Sequence, residues 1–139
     1  MDLISVLRLS LDVGLCVLIW MVQLTVYPAF AHFRKEDLVR WHKKYTLGIT
    51  LVVAPLMIGQ LCLVTYQIFD MITMYTIISA ILVFALWLIT FTMFVPLHKE
   101  LENIRFRESV PVKLVKRNWL RTALWTALAI LTITHYTIT

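Results

Sequence analysis

The sequence predicts an all-α integral membrane protein, with four transmembrane helices arranged as two parallel-oriented hairpin repeats. Three observations lead there. The chain has 139 residues, 60% of them hydrophobic, with a mean hydropathy of +0.83, more than the core of a soluble domain this size requires. Its apolar runs, near 11–31, 45–66, 74–97 and 119–138, each have the roughly 20 residues that cross ~30 Å of hydrocarbon. Its basic residues gather in two alternate connections, as they do in chains that thread a membrane repeatedly.

Each run must be helical, because a chain surrounded by lipid has no other way to pair its backbone groups. The first is expected to end at Tyr27-Pro28 or a turn later, and the third at Val95-Pro96, since proline lacks the donor that continues a helix. The second starts in the connection before it, near Glu36-Asp37, acids suited to a helix N-terminus. Pro55 predicts a kink within it. For the fourth, Ser109-Val110-Pro111 reads as a cap followed by a proline in the first turn. Little chain is left over, so 1–139 forms one membrane domain. No basic stretch and no small-residue cleavage site precede the first run, which is therefore expected to be retained rather than removed as a signal peptide.

Arg34, Lys35, Arg40, Lys43 and Lys44 lie between runs one and two, and Lys99, Arg105, Arg107, Lys113, Lys116 and Arg117 between three and four. The connection between runs two and three has no basic residue. The positive-inside rule then puts both basic loops in the cytoplasm and both termini outside. The net charge of +5 stems from this topology and from attraction to anionic head groups, and points to the lipid bilayer as partner rather than nucleic acid. Cys16 and Cys62 both fall inside apolar runs, which argues against a disulfide framework.

Two stretches look duplicated. Ile19-Trp20-Met21-Val22-Gln23-Leu24-Thr25-Val26-Tyr27-Pro28 reappears with one extra residue from Leu86-Trp87 to Val95-Pro96, and Leu38 to Thr46 aligns without a gap on Leu114 to Thr122. In this register His42 matches Asn118, Tyr45 matches Arg121, and His98 has no counterpart.

Projected at helical spacing, each run carries one polar and aromatic stripe on an otherwise Leu, Ile, Val, Phe and Ala surface. These stripes are expected to face one another inside a bundle. Tyr27, His42, Tyr45, His98, Asn118 and Arg121 fall at one depth near the basic end. Ionisable groups at membrane depth are costly and so mark functional sites, although polar side chains also serve as interhelical glue. Asp12 follows Arg8 by four residues, which suggests a local helix salt bridge near the outer surface. Gln23 and Gln60 are the deepest amides and are expected to bond to each other. His42 and His98 are the pair for haem or metal ligation, without any HxxxH, HExxH or CxxCH spacing. A nucleophile elbow, a glycine-rich phosphate loop and an intramembrane carboxylate pair are all missing from the sequence.

The pattern of Tyr27-Pro28, Pro55-Leu56-Met57, Trp87-x-x-Thr90-Phe91, Val95-Pro96-x-His98 and Asn118-Trp119-x-Arg121-Thr122-x-x-Trp125 resembles a widespread group of small bacterial four-span proteins of unknown function. Members of that group often carry histidine before the Tyr-Pro, where this chain has Val26. The plan is more distantly similar to the anthrone-oxygenase-like membrane family, which acts on polycyclic aromatics. It is also similar to the small four-span protoporphyrinogen oxidase family, which is haem-associated, through Lys44-Tyr45 to Pro55. The resemblance implies binding or oxidation of a lipophilic small molecule such as a haem, porphyrin, quinone or polycyclic aromatic. In that reading His42 and His98 are ligands or acid–base groups and Tyr27 and Tyr45 proton donors. Asn118 and Arg121 are anchors, Trp20, Trp87 and Trp125 apolar walls, and Gln23 and Gln60 further ligand contacts. The competing expectation is an accessory subunit whose apolar face meets a membrane-protein partner or a second copy of the chain.

Overall fold

The computed structural model describes residues 1–138. They form four long helices and no strand: α1 (Leu3–His32), α2 (Lys35–Asp70), α3 (Met74–Glu100) and α4 (Ser109–Ile138). The extensive contacts run α1–α2, α2–α3, α3–α4 and α4–α1, which closes an up-and-down ring. One end carries both basic connections; the opposite end carries the short turn Met71-Ile72-Thr73, the start of α1 and the end of α4.

Local chemistry accounts for the helix ends. Asp2 caps α1 by accepting from the Ser5 backbone N–H at 2.8 Å. Thr73 and Thr76 form a reciprocal capping box at the start of α3. Glu36 and Asp37 occupy the first turn of α2, where the helix dipole favours acids. Pro55 lies inside an unbroken α2.

The two prolines expected to end helices do something different. α1 and α3 both widen into a π-helical turn, Val22–Val26 and Thr90–Phe94, and each turn stops at the same distance before its proline, Pro28 or Pro96. Tyr27 and Val95 then donate five residues back, to Val22 and Thr90. In each turn a threonine hydroxyl returns to the preceding helix, Thr25 to the Met21 carbonyl at 2.5 Å and Thr92 to that of Leu88 at 2.7 Å. One extra residue is thereby absorbed in each helix, and the backbone continues past the proline.

α1, α2 and α3 are long and apolar enough to cross a membrane. α4 has the length, at 30 residues, but falls short in apolarity. The reason lies in what it buries: Asn118, Arg121, Thr122 and Thr132 all face inward. The core beside them is Leu15, Ile19, Leu86, Leu114, Trp125 and Leu128, each at most 1% exposed.

Candidate functional site

A cavity of about 370 Å³ lies between α1, α2 and α3, running from Leu18 and Met57 at mid-depth to Lys99 and Glu102 at the basic end. That volume suits one small organic molecule. Its walls are chiefly apolar, and its polar groups concentrate at the basic end: Tyr27, Tyr45, Thr46, His98 and Arg121.

The π turn in α1 delivers Tyr27 to this end, where the ring is 3% exposed and stacks on Phe94 from the matching turn in α3. The Tyr27 hydroxyl is 3.0 Å from His98 Nε2. His98 Nδ1 is 2.8 Å from His42 Nε2, and His42 Nδ1 is 3.3 Å from Thr46 Oγ1. Thr46 donates its own hydroxyl proton to the His42 carbonyl. Three helices therefore contribute to one hydrogen-bonded chain, Tyr27–His98–His42–Thr46. Phe30 meets the His42 ring edge-on and closes the far side, leaving His42 fully buried.

Arg121 approaches from α4. It is 8% exposed, with its guanidinium over the rings of Phe94 at 4.3 Å and Trp125 at 5.2 Å. It stands beside the Tyr27 hydroxyl, its Nε has no hydrogen-bond partner, and no carboxylate pairs with it among the described residues. Two other polar atoms of cavity-lining residues, Trp87 Nε1 and Thr90 Oγ1, are also buried without partners. Natural interiors rarely leave such groups unsatisfied, and these three atoms lie within the wall of the cavity rather than on its accessible surface.

Of the residues singled out by sequence, Tyr27, Tyr45, His98, Arg121 and Trp87 line the cavity, and His42 stands directly behind His98. Others lie elsewhere. Trp125 forms the floor under Arg121 rather than a wall. Trp20 is 37% exposed, its indole donating to Thr126 at 3.0 Å and meeting Trp119 edge-on at the outer surface. Gln23 and Asn118 belong to a separate α1–α4 knot: Asn118 and Thr122 donate to Gln23 Oε1 at 3.0 and 3.3 Å, and Gln23 donates to the Val115 carbonyl.

The expected Gln23–Gln60 bond does not form. Gln60 lies toward the opposite end and donates to Asp12 at 2.7 Å. Asp12 also accepts from Arg8 at 2.8 Å and Thr132 at 2.6 Å, and Arg8 reaches Gln67 at 2.9 Å. The Arg8–Asp12 salt bridge legible in the spacing is therefore real but wholly buried, and it ties α1 to α2 and α4. Its spacing was readable; its burial was not, because Arg8 precedes the apolar run.

The histidine pair does not fit two ligands on one metal. Imidazoles bound at ~2 Å on opposite sides of an ion stand about 4 Å apart. Here the facing nitrogens are at hydrogen-bonding distance, and the other nitrogen of each ring is engaged by Tyr27 or Thr46. Among the described residues no group of His, Cys, Asp and Glu has the makings of a metal site. No protein-family model, curated protein or solved structure matches the chain.

Proposed function

We propose that this protein binds a lipophilic small molecule that enters the cavity from the bilayer and sets an oxygen-bearing head against Arg121. One observation carries the reading: Arg121, buried at 8% exposure, lines an apolar cavity with no carboxylate bonded to it among the described residues. A buried cation is costly unless something pairs with it. An oxygen held there would pair with the guanidinium of Arg121, which lines the polar end of the cavity beside Tyr27. Aromatic walls favour a flat ring system, in keeping with the quinone, porphyrin and polycyclic classes implied by the sequence resemblance. In this reading the chain spans a bacterial inner membrane four times, with the basic connections and the cavity's polar end in the cytoplasm and both termini outside. We also read its two hairpins as an ancient duplication, supported by the matched π turns and prolines.

The test is binding in mild detergent. Quenching of tryptophan fluorescence is titrated with a naphthoquinone, a porphyrin and a polycyclic phenol, alongside native mass spectrometry of the protein as purified. Saturable binding of at least one class is expected, weakened about 10- to 100-fold by Arg121→Met, since a hydrogen bond to a charged group contributes about 1.5–3 kcal/mol. Absence of any bound molecule and of any saturable quenching overturns the reading. A Soret band in the purified protein, abolished by His42→Ala, would instead make the histidines haem ligands.

A further inference from the structure

The hydrogen-bond chain at the cavity's polar end has a direction, set by one fixed point. Thr46 commits its hydroxyl proton to the His42 carbonyl, so toward His42 Nδ1 its oxygen acts only as an acceptor. His42 Nδ1 therefore carries the proton and His42 Nε2 is bare. The bare nitrogen accepts from His98 Nδ1–H at 2.8 Å, which leaves His98 Nε2 bare to accept from the Tyr27 hydroxyl at 3.0 Å. With both rings neutral, these contacts assign one tautomer to each. Tyr27 has given its only proton away from the cavity, so its oxygen offers only lone pairs inward, where Arg121 is itself within donating reach.

An oxygen seated there accepts from Arg121, and a proton on it would be shared with the remaining Tyr27 lone pair. A carbonyl or an ether does the first only; a hydroxyl does both. The dyad also has room for one more proton and no second. With both rings protonated, N–H would face N–H across 2.8 Å. Resting on the binding reading above, we infer that the ligand is a lipophilic O–H acid of the phenol or hydroquinone class, whose proton this chain takes up while Arg121 holds the oxyanion. In that step the ligand O–H bond breaks and its proton joins the Tyr27 oxygen. The former Tyr27 proton passes to His98 Nε2, and no electron changes hands. The charged and titratable groups around the dyad are Tyr27 from α1, His42 and Tyr45 from α2, His98, Lys99 and Glu102 from α3 and the loop after it, and Arg121 from α4. Glu102 is near enough to act on His42 electrostatically and faces the anion from the cavity mouth.

The probe is a nitrophenol bearing an octyl chain, coloured only as its phenolate, with its O-methyl ether as comparison. Full-length protein in mild detergent is titrated at a pH where the probe in empty micelles stays colourless. The phenol is expected to bind at least about tenfold more tightly than the ether, the cost of about one unmade buried hydrogen bond. It should turn yellow on binding, and a pH indicator in weak buffer should record no proton released. In His98→Gln the colour should be lost, or appear with about one proton released per probe bound. A probe that binds colourless to the native protein, or a phenol and ether that bind equally, overturns the proton store while the cavity reading stands. If neither probe nor any compound of the binding panel binds, both readings fall. The native protein alone decides the main question, so a variant that fails to fold does not obscure it.

Discussion

Single side chains in this molecule are held by depth as much as by type. Gln23 and Gln60 look interchangeable in sequence, yet one serves the knot with Asn118 and Thr122 and the other serves Asp12. Pairing them fails on simple arithmetic. Gln60 lies 18 residues beyond His42 on α2, about 27 Å along the axis at 1.5 Å per residue, whereas Gln23 lies within a turn or so of Tyr27. Tyr27, His98 and Arg121 are placed correctly by sequence because the Pro motifs and the basic connections fix their depth. The polarity of the Tyr27–His98–His42–Thr46 chain depends on one threonine rotamer, which no pattern in the sequence encodes. At this scale the sharpest stability prediction concerns Arg8 and Asp12, both fully buried. Asp12→Ala leaves an unpaired guanidinium in the core and should lower the unfolding free energy by about 3–5 kcal/mol. The double variant Arg8→Met with Asp12→Leu should recover most of that loss, read as the melting temperature in detergent. A double variant no more stable than Asp12→Ala would show that the ion pair is not the source of the penalty.

At the level of elements, the four helices themselves were plain, because an apolar run of about 20 residues has few other readings, and three of them are apolar enough to cross a membrane. The behaviour of their ends was not. Proline predicts a stop, and α1 and α3 instead pass through a π turn and carry on. The difference is physical: the surrounding helices hold the backbone in place, so the missing donor costs one widened turn rather than the helix. Such a turn absorbs one residue without rotating the helix beyond it. Deleting Leu24, which is 60% exposed within the α1 turn, should therefore give a regular helix that still directs Tyr27 inward, with melting within a few degrees of the native chain. Deleting Val17, equally exposed at 65% but in regular helix, turns one part of α1 against the other by about 100° and should abolish a monodisperse product. Size-exclusion profiles of the two deletions check this. Comparable behaviour of both would mean that the turn holds no spare residue.

For the whole molecule, the all-helical class was legible from hydropathy, and the bundle with inward-facing stripes from helical spacing. The composition of α4 was less so, since its stripe of Asn118, Arg121, Thr122 and Thr132 makes it the least apolar of the helices. The proposed orientation gives a direct test at this scale. Alkaline phosphatase fused after the last residue should be active and a fluorescent protein fused there dark, and the opposite pair of results would invert the topology.

The polar burden of α4 also bears on how the chain is made. A helix that must hide a guanidinium and an amide partitions less well into lipid by itself, because polar and charged side chains within a span are costly to insert. Its amide is met by Gln23 on α1 and its guanidinium by the rings of Phe94 and Trp125, and of these only Trp125 comes with α4. Biogenesis is thus expected to be ordered, with the first three helices waiting at the insertion machinery until the last is synthesised. In a glycosylation-based insertion assay, α4 alone should integrate inefficiently and the full chain well. Efficient integration of the isolated helix would mean that its polar face needs no host.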